Sequence, residues 1–146
     1  MAITAALTNQ GKKDFLNGTH QPGNTYKLAL IKPASSGTFD KNTTTYTSLS
    51  TDEVTGTGYT AGGATLSGFT VTLSTDTASL DFADASWAAS TISAAGAMLY
   101  NDTATGHGSV SKPVIAIFDF GGTISSTAGT FTVTIPSSGT GVIRFT

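Results

Sequence analysis

Hydrophobic residues in this chain recur at every second position in short runs, separated by stretches rich in glycine, serine and threonine. In residues 25–31 (TYKLALI), Tyr26, Leu28 and Leu30 fall on one face, as in a half-buried strand. Residues 66–74 alternate Leu66, Gly68, Thr70 and Thr72 against Phe69, Val71 and Leu73. Residues 78–82 form the next strand after a Thr-Asp-Thr turn, which predicts a hairpin. Residues 91–101 put Ile92, Ala94, Gly96, Met98 and Tyr100 on one face. Pro113 opens the run 114–120, apolar at both parities as in a central strand. Phe131, Val133 and Ile135 alternate up to Pro136, and residues 142–146 supply a last strand.

One segment breaks this period. Residues 8–17 read as a short helix, capped by Thr8, anchored by Leu7, Phe15 and Leu16, and stopped by Asn17-Gly18. Gly11 weakens it. Residues 34–50 are polar and Thr-rich and predict a long surface excursion anchored by Phe39, Tyr46 and Leu49, with a short strand near 44–47. Residues 53–63 (EVTGTGYTAGG) read as turns. The predicted fold is all-β: an antiparallel β-sandwich of seven to eight strands, jelly-roll or Ig-like, with a short N-terminal helix. Residues 1–24 are expected to be an N-terminal arm carrying the helix and 25–146 the sandwich domain.

Composition sharpens the picture of the surface. Seven Lys+Arg and nine Asp+Glu in 146 residues make the chain 11% charged, against about a quarter for an ordinary soluble domain. Its solvent face must therefore be built of hydroxyls and backbone. A net charge of −2 argues against nucleic acid or an anionic membrane as partner. No apolar run approaches the roughly 18 residues of a membrane span. The first eighteen residues lack the basic and apolar regions of a secretory signal, so a soluble chain is expected. Without cysteine there is no disulfide, thiolate chemistry or Cys-ligated metal.

The residue pattern carries no catalytic residue, no metal ligand set and no cofactor site. His20 and His107 lie beside glycines in loops without a converging partner set, and both are expected to be exposed. Asp76, Asp81 and Asp84 bracket a strand and Asp119 lies between two phenylalanines; their spacing matches no calcium loop, and structural roles are expected. For Asp119, an outward and a buried, hydrogen-bonded position both remain open. No serine stands in Gly-x-Ser-x-Gly, and the glycine clusters at 56–58 and 62–63 lack the lysine and the strand–loop–helix frame of a phosphate loop. Trp87, the sole tryptophan, reads as a core plug. Tyr59 reads equally well as an interface anchor or as a ring folded back on the core.

Several segments together resemble a known group. Residues 26–30 (YKLAL), 43–46, 53–63 (EVTGTGYTAGG), Trp87 with 92–102 (ISAAGAMLYND), 115–122 (IAIFDFGG) and 131–136 (FTVTIP) resemble, in order and spacing, small virion structural proteins of tailed bacteriophages. The likeness runs from about residue 12 to the C-terminus, and 53–63 is its most specific piece. The loop at 106–108 (GHG) departs from the pattern and is expected on the solvent side. The resemblance implies a non-enzymatic protein of the virion, most like a capsid decoration (cement) protein. Its implied partners are the major capsid protein lattice and further copies of itself, as homotrimer or homodimer. It would be assembled in the bacterial host cytoplasm onto the capsid surface. Candidate contacts are Leu7, Phe15 and Leu16 in the arm, Phe39 and Tyr46 in the excursion, and Tyr59. A tail-fibre or tail-tip module binding a receptor or carbohydrate is the alternative. A free carbohydrate-binding module would call for clustered aromatics, and Tyr46, Tyr59, Trp87 and Tyr100 are spread along the chain.

Overall fold

A computed structural model describes residues 2–104, 110–136 and 141–146. Within them lie ten strands and one α-helix: β1 (Ala2–Ile3), β2 (Ala6–Leu7), α1 (Asn9–Leu16), β3 (Tyr26–Ile31), β4 (Thr38–Phe39), β5 (Ala64–Leu66), β6 (Thr70–Ser74), β7 (Thr77–Asp81), β8 (Ala85–Asn101), β9 (Val114–Val133) and β10 (Ile143–Phe145). A five-stranded antiparallel sheet runs in the order β2-β9-β8-β3-β5, and a three-stranded antiparallel sheet in the order β10-β7-β6. Strands β1 and β4 form a small parallel pair. The fold is mostly β, sandwich-like and without a barrel.

Alternation along β3 explains the layers. Tyr26, Leu28 and Leu30 join one core with Ala97, Leu99 and Ile115 of the large sheet and Leu80, Phe82 and Ile143 beside or within the small one. Ala29 and Ile31 point the other way, into a second core with Met98, Tyr100, Val114 and Ile117. That second face is covered by Phe39, Leu49, Ile3 and Tyr46. The excursion at 34–50 therefore roofs the sheet. Instead of a strand at 44–47 it carries two 3-10 turns (Tyr46–Ser48 and Ser50–Asp52) and one bridge from Thr45 to Pro113.

The helix is capped as its sequence implies: Thr8 Oγ1 accepts from Gly11 N–H at 2.8 Å, and Gly18 just beyond its end has φ 71°. Gly11 has a packing reason, because a Cβ there would sit 2.7 Å from the Ile115 carbonyl oxygen. An alanine would gain about 1 kcal/mol of helix propensity but would have to push backbone off backbone. Residues 2–8 are woven into the sheets, since β1 pairs with β4, β2 pairs with β9, and Thr8 Oγ1 donates to the Val114 carbonyl at 2.6 Å.

Strands β8 and β9 differ from expectation in length and regularity. The Gly/Ser/Thr stretch 121–130 continues β9 without a break, and Trp87 lies inside β8. Between the pairs Ala94↔Ile124 and Gly96↔Asp119, β8 has one intervening residue and β9 has four, 120–123. This bulge divides the face expected at 91–101. Ile92 and Ala94 join the first core with Ala97 and Leu99, whereas Met98 and Tyr100 join the second. Further register shifts accompany Ala89 and Ala128, both in the left-handed region at φ 48° and 46°. Among the described residues β9 has no strand opposite β8 along its outer half, and bulges of this kind disrupt an edge that would otherwise invite another strand.

Candidate functional site: a carboxylate clasp and an open sandwich mouth

The turn block 53–63 is held by one carboxylate. Glu53 Oε2 accepts from Tyr46 Oη–H at 2.6 Å, and Oε1 accepts from Tyr59 Oη–H and Gly62 N–H, each at 2.7 Å. Tyr59 Oη in turn accepts the Leu30 N–H at 3.0 Å, and Tyr100 Oη–H donates to the Gly62 carbonyl at 2.8 Å. Gly63 must be glycine here: its φ is 81°, and a Cβ would lie 1.9 Å from the Leu28 carbonyl oxygen. Burial, and then the adjoining Glu53 carboxylate, push both the Tyr46 and Tyr59 hydroxyls well above the usual phenol range. They therefore stay protonated donors. With three donors on its two oxygens, Glu53 is a structural pin joining Tyr46, Tyr59 and the Gly62 amide.

A parallel arrangement holds the roof. Buried Asp52 accepts from Ser36 N–H at 2.9 Å and Gly37 N–H at 2.7 Å, and lies 3.3 Å from Lys32 Nζ. The Ser36 amide bond leads the causes that depress its pKa, with the Gly37 amide and Lys32 adding to it. Asp102 sits between Lys112 and Lys27, which depress its pKa in that order.

The six candidate contact residues part company. Phe39 is buried in the second core, and Leu7 packs against the first. Tyr46 stacks on Tyr100 at 4.5 Å and Tyr59 stacks on Trp87 at 5.9 Å, so both rings face inward. Phe15 is half-buried, edge-on to His20 and to Phe145. Leu16 alone is free, with 91% of its surface exposed. Trp87 is buried against Phe131 and Tyr59, as a core plug.

Leu16 borders an open, apolar mouth of the sandwich that the sequence reading did not assemble. The small sheet's inner face carries two cross-strand rows, Val71–Leu80–Ile143 and Leu73–Ala78–Phe145. Leu80 and Ile143 are buried, but Val71, Leu73 and Phe145 remain 62%, 76% and 46% exposed. The signal was present in the alternation of Val71 and Leu73; what sequence cannot show is that the facing sheet stops short of them.

His20 is buried, contrary to the exposed position expected; His107 lies outside the described residues. Asn101 Oδ1 accepts from Thr103 N–H, which turns Asn101 Nδ2 toward His20 Nδ1 at 3.1 Å and toward Asn24 Oδ1 at 2.9 Å. Nδ1 must therefore accept, and the ring is neutral. Burial lowers its pKa to about 4, against a smaller upward pull from Asp14. Asp119 is exposed and accepts from Gly121 N–H at 2.9 Å; Asp84 accepts from Ile135 N–H at 2.8 Å. Among the described residues no group of three or more His, Asp or Glu is placed to hold a metal, and no helix is long and apolar enough to cross a membrane.

The remaining hollows are shallow. One, of about 490 Å³, is walled by Thr91, Ser93, Ser125 and Ser126, with Lys32 and Val54 at its side. Comparison with protein-family models, curated proteins and solved structures returns no match.

Two measurements follow from this geometry. Replacing Glu53 with alanine strands two phenol donors and one amide in a half-buried setting, and is expected to lower unfolding free energy by about 2–3 kcal/mol in urea titration. A loss below about 0.5 kcal/mol would show that the clasp is dispensable. For His20 the folded pKa lies below the unfolded value of 6.5. Stability should therefore fall as pH drops from about 6.5 to about 4, by up to about 3 kcal/mol, and His20 adds no further slope below that. In His20→Gln that slope should vanish from the pH series; an unchanged slope would assign it elsewhere.

Proposed function

We propose that this chain is a non-enzymatic structural protein of a tailed-bacteriophage virion, a decoration or cement protein that binds the outer surface of the capsid shell and stabilises it. The observation that carries the reading is where the resembling segments fall. YKLAL is β3, ISAAGAMLYND spans the buried half of β8, IAIFDFGG and FTVTIP belong to β9 and its end, and EVTGTGYTAGG is the clasped block. The likeness is thus carried by the residues that build and pin the core, so it speaks for a shared scaffold. On this reading the sandwich is of the jelly-roll or Ig-like kind.

The surface supports a binding role over a catalytic one. Glu53 and Asp52 are consumed by structural hydrogen bonds, and the described hydroxyl hollow lacks an aromatic platform for a sugar ring. Sparse charge and a Thr/Ser exterior are cheap to desolvate against a protein lattice repeated many times. The partners in this reading are the major capsid protein lattice and further copies of this chain, whose linkage lets each contact stay modest. The protein is then made in the host cytoplasm and resides on the capsid surface.

Immunogold electron microscopy of purified particles of the phage encoding this chain tests the proposal. Gold distributed over the heads is the expected result. Gold confined to the tails would replace it with the receptor- or carbohydrate-binding tail module, and unlabelled particles would remove the virion reading altogether.

A further inference from the structure

We infer that the open mouth of the sandwich is a self-association surface, through which two copies of this chain pair about a two-fold axis. The inference deepens the assembly reading above and rests on it for its biological purpose; the surface is argued from its own residues. Leu16, Val71, Leu73 and Phe145 are 91%, 62%, 76% and 46% exposed, roughly 500 Å² with their backbone counted, within the range of the largest patch a monomer carries. Doubling by symmetry gives about 1,000 Å², the threshold for a specific, modest interface.

The patch is built to complement itself. Leu16 projects beside an apolar hollow of about 370 Å³ lined by Lys12, Phe15, Leu16 and Phe145. A second hollow, of about 90 Å³, continues from Phe15 and Phe145 to Val71 and Ala78. A knob next to a hole on one surface is what an isologous contact requires, because each copy then fills the other.

Charge agrees with the same axis. Lys12 lines the hollow on the helix side of the patch, and Asp76 lies in the turn of the β6–β7 hairpin, past the Leu73–Ala78–Phe145 row. Neither pairs with an opposite charge among the described residues. A two-fold through the centre sets Lys12 of one copy against Asp76 of the second, and the reverse.

Sedimentation equilibrium of the purified full chain, from about 1 to about 100 µM, reads this out in the absence of any capsid. A monomer–dimer equilibrium is expected. Leu16→Lys and Leu73→Thr, both at exposed positions and checked for unchanged circular dichroism, should each raise the dimer Kd at least about tenfold. Lys12→Glu should weaken the dimer, and Lys12→Glu with Asp76→Lys should restore it. A monomer across the whole range, a trimer, a dimer indifferent to Leu16 and Leu73, or a charge swap without rescue would each overturn the proposal. Head labelling in micrographs would stand or fall separately.

Discussion

Burial of β3, β8 and β9 on both faces is the constraint from which the rest of the molecule follows. Leu28 to Ile31, Ala97 to Tyr100, and Val114 with Ile115 have no measurable exposure. Each large apolar side chain removed from water contributes about 1.5–3 kcal/mol, so both faces of this sheet must be roofed by something. The small sheet covers one face with Leu80 and Ile143, joined by Phe82 just after β7; the 34–50 excursion and β1 cover the other with Phe39, Leu49 and Ile3. An irregular roof cannot satisfy its own backbone as a sheet does. Side-chain carboxylates do that work here, Asp52 for the Ser36 and Gly37 amides and Glu53 for Gly62.

This division of labour also explains the charge distribution. Of the few carboxylates, Asp52, Glu53 and Asp84 each accept a backbone N–H of a turn or a loop, and Asp119 accepts one in the β9 bulge. Little charge is left to keep surfaces apart, and threonine and serine cover the exterior. Where the two sheets differ in extent, the described residues leave Val71, Leu73 and Phe145 on the inner face of the smaller one exposed. The apolar mouth at Leu16, Val71, Leu73 and Phe145 is the geometric remainder of a five-stranded layer packed on a three-stranded one.

Much of the framework was legible wherever one side chain in two faces a core. The Thr8-capped helix, the alternation in β3, the β6–β7 hairpin and buried Trp87 all carry local signals strong enough to survive packing. The outer half of β9 was not legible, because a ribbon solvated on both faces imposes no alternation and its glycines read as turns. The split face of β8 was hidden for a related reason: a bulge changes parity without leaving a mark in residue type. Phe39, a candidate contact in a polar stretch, is core because an excursion can still return to roof a sheet; for Tyr59 the sequence leaves an interface anchor and an inward ring equally open, and the bond to Glu53 decides for the inward ring. His20 shows the same limit, as its hydrogen-bond partner Asn101 lies some eighty residues away.

Native-state hydrogen exchange tests the doubly covered sheet most directly. The account predicts that amides at 28–31, 97–100 and 115–117 exchange only through global unfolding, while those of β6 and of 121–130 open locally and far faster. Slowest exchange in the β6–β7 hairpin, with the centre of β8 opening early, would contradict it.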